Sequence, residues 1–126
     1  MLQRFPVQAT IPCSDLARAK SFYAEKLRLT PSSEDAEGAS YDSGGTPFLL
    51  FLSSGVASGT HTQMGWRVDD IEAEVRELRE RGVQFETYDV PGFDAGTGIA
   101  QSGEGRSAWF KDSEGNLLAL AQFPDP

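Results

Sequence analysis

Apolar residues fall at spacings of three and four in two stretches of this chain and alternate with polar ones through most of what lies between. In Asp15–Leu27, Leu16, Ala19, Tyr23 and Leu27 form one stripe with Phe22 beside it, the pattern of an amphipathic helix. Asp15 or Ser14 is a natural N-cap, and Pro31 forbids a long continuation. A second helix is predicted from Asp70 to about Arg81, with Ile71, Val75 and Leu78 inward. Asp69 and Glu72 have capping-box spacing there, and Gly82 suits the left-handed residue that ends a helix. Alternation predicts a strand at Phe5–Pro12, with Val7, Ala9 and Ile11 opposed to Gln8 and Thr10. It predicts another at Thr62–Val68, with Met64, Trp66 and Val68 opposed to Gln63, Gly65 and Arg67. The apolar run inside Pro47–Leu52 is too short for a helix and reads as a buried strand. Val83–Tyr88, Ser107–Lys111 and Leu117–Gln122 complete the second half, while Ala39–Asp42 and Thr30–Glu34 carry fainter strand patterns in the first. Asp112 to Asn116 is a tight hairpin connection in which Gly115 can take positive φ.

The order repeats. A strand, an Asp-capped helix and further strands occur once before residue 55 and once after it, with Ile11-Pro12-Cys13-Ser14-Asp15-Leu16 lying over Trp66-Arg67-Val68-Asp69-Asp70-Ile71. Each half is too small to bury the outer face of its own strands, so modules of about 1–55 and 56–126 are expected to share one sheet within a single domain over 1–126. A chain of 126 residues, 39% hydrophobic and 24% charged, is long enough to form a core without a disulfide or structural metal. Its net charge of −8 argues against nucleic acid and anionic membrane as partners. No apolar run approaches the roughly 20 residues of a membrane span, and the first residues lack the apolar core of a signal peptide. With Cys13 as the single cysteine, a cytoplasmic setting is expected.

Three motifs go further: Asp15-Leu16 leading to Phe22-Tyr23 and Leu27; Trp66 to Ile71 leading to Leu78 and Arg81-Gly82-Val83; and Trp109-Phe110-Lys111-Asp112-Ser113-Glu114-Gly115-Asn116-Leu117. Together they resemble the vicinal-oxygen-chelate superfamily of glyoxalases, bleomycin-resistance proteins and extradiol dioxygenases. The resemblance implies an α+β fold of two βαβββ modules forming a curved mixed sheet around a cleft, with helices on the outer face. It also implies where metal-dependent members carry ligands. The position seven residues before each helix-capping Asp is Gln8 in the first module and Gln63 in the second. Four residues after the hairpin glycine stands Ala119, and the remaining position falls at Leu50 or Phe51. Divalent ions of this family want carboxylate and imidazole donors, and two neutral amides without such partners hold them poorly. No metal and no cofactor are therefore expected.

The remaining candidates come from the residues themselves. His61, the only histidine, has the strand parity of Gln63 and is a candidate base or ligand-binding imidazole; the plainer reading is a solvated loop residue after Ser58-Gly59-Thr60. A five-residue hairpin turn pairs Lys111 with Leu117, and so Trp109 with Ala119 on one face, where the indole either floors the cleft or packs as core. Arg67 shares parity with Gln63 and either binds an anionic group or pairs with an acid such as Asp42. Phe93 is the apolar contact of a Gly-rich loop, Asp89–Ile99, read as a lid or a surface excursion. Cys13 shares parity with Ile11 and is expected under the first helix. The predicted ligand-contacting set is Gln8, Thr10, Phe51, His61, Gln63, Arg67, Phe93, Trp109 and Ala119, with Val7, Ile11, Trp66, Val68, Leu118 and Leu120 packed beneath the helices. These features favour a metal-independent small-molecule binding protein that sequesters a drug or metabolite and, being acidic, attracts cationic ligands, and the resemblance implies that it acts as a homodimer. The alternatives are a lyase, isomerase or dioxygenase-like enzyme of the same superfamily, and an interaction subunit whose cleft is closed by Trp109 and Phe51.

Overall fold

The structure, a computed structural model, describes residues 1–124. The first module runs β1 (Ala9–Cys13), α1 (Leu16–Glu25), β2 (Ser33–Glu34), β3 (Gly38–Ser43) and β4 (Thr46–Leu52). The second runs β5 (Thr62–Arg67), α2 (Ile71–Glu80), β6 (Phe93–Asp94), β7 (Ile99–Ser102), β8 (Gly105–Lys111) and β9 (Leu117–Gln122). Hydrogen bonding orders the strands β1-β4-β3-β2 in one sheet and β5-β9-β8-β7-β6 in the other. In each, the first strand pairs parallel to the last of its module, and all other neighbours are antiparallel. The unladdered edges of β1 and β5 lie beside each other at the seam.

Both helices start where an aspartate satisfies a free backbone N–H. Asp15 accepts from Arg18 N at 3.0 Å, and Asp70 accepts from Ala73 N at 3.1 Å. The second cap is thus Asp70, not the Asp69 that capping-box spacing suggested, because only Asp70 holds the extended backbone before the first helical turn. Gly82 closes α2 at φ +90°. Tyr23 and Ala19 of α1 are fully buried with Ile11, Cys13, Tyr41, Phe48 and Leu50, and Ile71 and Val75 of α2 join the same cluster as Ala108, Phe110, Leu118 and Leu120. A chain of ring contacts, Tyr23–Phe48–Trp66–Phe110–Phe85, carries that core across the seam.

The hairpin between β8 and β9 fastens one module to the other. The buried Asp112 carboxylate accepts from the Tyr23 hydroxyl at 2.9 Å and from Asn116 Nδ2 at 2.9 Å, while Asn116 Nδ2 also donates to the Pro12 carbonyl at 2.9 Å. Glu114 reaches the start of α1, taking the Ser14 and Asp15 amides on Oε1 at 3.0 and 3.1 Å and Arg18 Nε on Oε2 at 2.7 Å. Burial and the neighbouring Asp112 charge push the Tyr23 hydroxyl far above the ordinary phenol range, so it stays a donor.

Two expected strands change. Val83–Tyr88 makes only a single bridge, Phe85 with Phe110, and a Glu86 N to Trp109 O bond of 2.8 Å. The other half of that β8 edge is taken by β7, which pairs Ala100–Ser102 with Gly105–Ser107, so no full ladder is left for it. At the N-terminus residues 2–4 form a 3-10 turn and the strand begins only at Ala9, so Val7, expected beneath a helix, lies before the ladder and is 91% exposed.

Leu120→Ala, which empties a site 4% exposed, is expected to lower stability by about 2–5 kcal/mol in chemical denaturation. Arg18 and the α1 amides hold the Glu114 carboxyl down at about 2, against 4.5 ordinarily. The depressed value means the contribution is present above the unfolded pKa and lost as pH falls through the folded one. The wild type should therefore lose stability between about pH 4.5 and 2 more steeply than Glu114→Gln, measured by denaturant midpoint against pH.

Candidate functional site

Strand registers decide which predicted residues share a face. On the face of the first sheet away from α1, Thr10 lies beside Leu49 and Ser40, and Phe51 beside Pro12 and Gly38. Leu50 is buried in the core instead, so Phe51 is the open-face residue of that pair. Phe51, Leu49 and Leu52 floor a hollow of about 390 Å³ rimmed by Glu34, Asp35 and Glu37. On the second sheet Gly65, Ala119 and Trp109 form one cross-strand row, with Arg67, Ala121 and Ser107 in the next. The pairing of Trp109 with Ala119 follows the hairpin reading. A Cβ on Gly65 would stand 2.9 Å from the Ala119 carbonyl, so glycine is what lets the two strands approach there.

Trp109 is held at both ends. Its Nε1 donates to Thr62 Oγ1 at 3.0 Å, and Tyr88 meets its ring edge-to-face at 5.5 Å. Tyr88 in turn meets Phe93 at 6.0 Å, so the predicted loop contact Phe93 does reach the tryptophan, through Tyr88. Neither Thr62 nor Tyr88 was among the predicted site residues. Alternation put Thr62 on the Met64 face, but the register shifts between Thr62 and Met64, so that Thr62 pairs with Leu117 and Met64 with Leu118. That bulge absorbs Gln63, whose Oε1 is buried without a hydrogen-bond partner. A single extra residue there leaves no mark in sequence periodicity.

The other predicted residues stand apart. His61 lies in the exposed loop before β5, with its Nδ1 3.0 Å from Ser58 Oγ. Gln8 is exposed and precedes β1. Arg67 forms no ion pair with Asp42, which accepts from Gly45 N; its guanidinium lies 5.0 Å from the Phe123 ring centroid. Cys13 is buried as expected, donating to the Phe51 carbonyl at 3.3 Å, and burial pushes its thiol up. Another hollow, of about 730 Å³, lies on the helix side of the seam, lined by Leu27, Leu29, Pro47, Trp66, Leu78 and Leu120, and Arg67 also borders it.

The metal positions implied by the resemblance are filled here by Gln8, Gln63, Phe51 and Ala119. Among the described residues no three His, Cys, Asp or Glu side chains converge. One orphaned amide oxygen beside an aromatic and a methyl group is not a donor set for a divalent ion, so these residues do not fit a metal.

Two parallel-closed modules, each with a capped helix on one face and an open opposite face, and with three and four strands after the helix, define a paired-module α+β protein. The chain belongs to the Glyoxalase/Bleomycin resistance protein/Dioxygenase superfamily, whose model matches residues 6–120. Among solved structures it resembles a glyoxalase/bleomycin resistance protein/dioxygenase from Alicyclobacillus acidocaldarius, with TM-score 0.73 and 19% identity over 97% of this chain and 93% of that one. It also resembles the genomically encoded fosfomycin resistance protein FosX from Listeria monocytogenes (TM-score 0.69, 15% identity, 94% and 93% covered). A third is TnmS3, an antibiotic binding protein from Streptomyces sp. CB03234 (TM-score 0.68, 24% identity, 93% and 93% covered). At these identities the likeness is one of fold. No curated protein matches the chain.

Ala119→Trp should abolish ligand binding on this face while shifting the denaturation midpoint little, since Ala119 is only half-buried. Unfolding by Ala119→Trp together with a silent Leu120→Ala would invert the assignment of faces.

Proposed function

We propose that this chain is a small-molecule binding protein that seats its ligand on the open sheet faces and needs no metal ion to do so. The observation that carries the reading is the row Gly65–Ala119–Trp109, which puts two small residues and a fixed indole where a metal-binding relative would need a carboxylate. The Trp109–Tyr88–Phe93 rings offer apolar contact, and the hollow over Phe51, with its acidic rim, favours a cationic or neutral ligand over an anion. FosX and TnmS3, whose names connect them with antibiotics, share this fold, which supports a drug or metabolite as the class to screen. The enzyme alternative has less behind it: His61, the one candidate base, is exposed and hydrogen-bonded only to Ser58 among the described residues. No described helix is long and apolar enough to cross a membrane. With its one buried thiol, the chain suits a reducing cytoplasm, and its unpaired strand edges suit a homodimer.

Elemental analysis of the purified protein should find far less than one zinc, nickel, iron or manganese per chain, and a bound ligand should raise the melting temperature equally with and without chelator. A ligand at 100 times its Kd adds about 2.7 kcal/mol, readily seen by thermal shift. Its binding should quench Trp109 emission, a signal that Trp109→Phe removes. One firmly bound metal per chain, or chelator-sensitive binding, would overturn the reading.

A further inference from the structure

Trp109, Tyr88 and Phe93 meet at right angles rather than stacking. The interplanar angle is 89° between Tyr88 and Trp109 and 81° between Tyr88 and Phe93. A perpendicular pair spends the edge of one ring on the face of the other and still bounds a corner with one face from each. Tyr88 is 38% exposed and Trp109 and Phe93 are half-buried, so solvent reaches all three rings. A ring face is the negative side of the aromatic quadrupole, and a corner of two such faces attracts a cation from both.

Elsewhere the chain meets this preference with its own cations. Arg4 lies over Phe5 at 5.0 Å, Arg67 over Phe123 at 5.0 Å and Arg79 over Phe85 at 5.6 Å. Among the described residues no arginine or lysine lies over Trp109, Tyr88 or Phe93. Lys111, on the same strand as Trp109, is paired with Glu86 at 3.3 Å, so its charge is matched. The Asp89 carboxylate, next to Tyr88 in the chain, makes no ion pair among the described residues, and the chain as a whole carries −8. Ring faces offer no directional acceptor, and Trp109 Nε1 is a donor already committed to Thr62 Oγ1 at 3.0 Å. A primary ammonium, which must replace the hydrogen bonds it gives up to water, gains little there. An ammonium carrying four alkyl groups has no N–H to satisfy and turns charged methyl groups to the rings.

We propose that the Trp109–Tyr88–Phe93 corner seats a quaternary ammonium group, which makes quaternary ammonium compounds the ligand class of this face. This rests on the reading that the open face binds a small molecule without a metal, and names the group such a ligand presents. The test compares choline with its neutral isostere 3,3-dimethylbutanol and with the primary ammonium ethanolamine. Each is titrated into the 126-residue chain and followed by tryptophan emission, with Trp109→Phe to subtract the signal of Trp66. Choline should bind about tenfold more tightly than either, the factor expected of two cation–ring contacts at an exposed site. Tyr88→Leu and Phe93→Leu, which keep apolar bulk and remove the ring face, should each weaken choline severalfold and the neutral alcohol much less. The alcohol binding as tightly as choline overturns the assignment in favour of plain apolar contact. Ethanolamine binding as tightly, or choline binding that survives both leucine changes, overturns it in favour of attraction by the net charge. No emission change with choline also overturns it. All of these leave the metal-free reading standing, which falls instead to a stoichiometric metal or to binding that a chelator abolishes.

Discussion

The Asp112–Asn116 hairpin is the fastening on which the arrangement of the two modules depends. Neither sheet ladders onto the other, so the seam is held by side chains: the Tyr23 hydroxyl and Asn116 amide on Asp112, Asn116 on the Pro12 carbonyl, and Glu114 over the first amides of α1. These are charge-assisted bonds to groups that burial would otherwise penalise, and they are mutually required. Remove Asp112, and the Tyr23 hydroxyl is stranded in a core where it is 0% exposed. The aromatic chain from Tyr23 to Phe85 supplies apolar contact across the seam, but such contact is non-directional and sets no register of its own. The hairpin supplies it.

The same device explains the asymmetry of the molecule. The modules repeat in sequence and in topology, yet one seam-facing turn is five residues long and polar and the other is a glycine pair. Where the long turn sits, the helix start is capped and the interior closed. Where the short one sits, Ile71 N donates to Gln122 Oε1 at 2.9 Å, Trp66 Nε1 donates to Ser43 Oγ at 3.1 Å, and a hollow remains. A repeat that has lost symmetry in one turn thus keeps one side for cohesion and leaves the other side open.

Much of the fold was legible from sequence because its strongest signals are local. Asp15 and the Leu16–Ala19–Tyr23 stripe fix α1, and the five-residue turn fixes the pairing of Trp109 with Ala119, which the structure reproduces. What escaped was set by neighbours in space. Val83–Tyr88 has strand composition but finds half its edge occupied by β7. Val7 keeps the alternation of Ala9 and Ile11, but the ladder with β4 begins only at Ala9. Thr62 changed faces through a bulge, and with it came the hydrogen bond that orients the indole. Tyr88, outside any strand, gave no periodic signal, yet it bridges Phe93 and Trp109.

That last cluster bears on how the proposed binding site would hold a ligand if it works without a metal. A metal ion orients its ligand through directional bonds to fixed donors; without one, orientation must come from rigid apolar surface and a few polar atoms already in place. Trp109 meets the first need, since Thr62 holds its nitrogen and Tyr88 packs its edge, so little side-chain entropy is lost when a ligand stacks on it. Gly65 and Ala119, its neighbours in the cross-strand row, are small, and Trp109 is only half-buried. The buried, unpartnered Oε1 of Gln63, two residues from Gly65, is an acceptor whose desolvation is already complete. A ligand donor that reached it would gain a hydrogen bond without the usual exchange against water, the circumstance in which a single polar contact discriminates most strongly between otherwise similar apolar ligands.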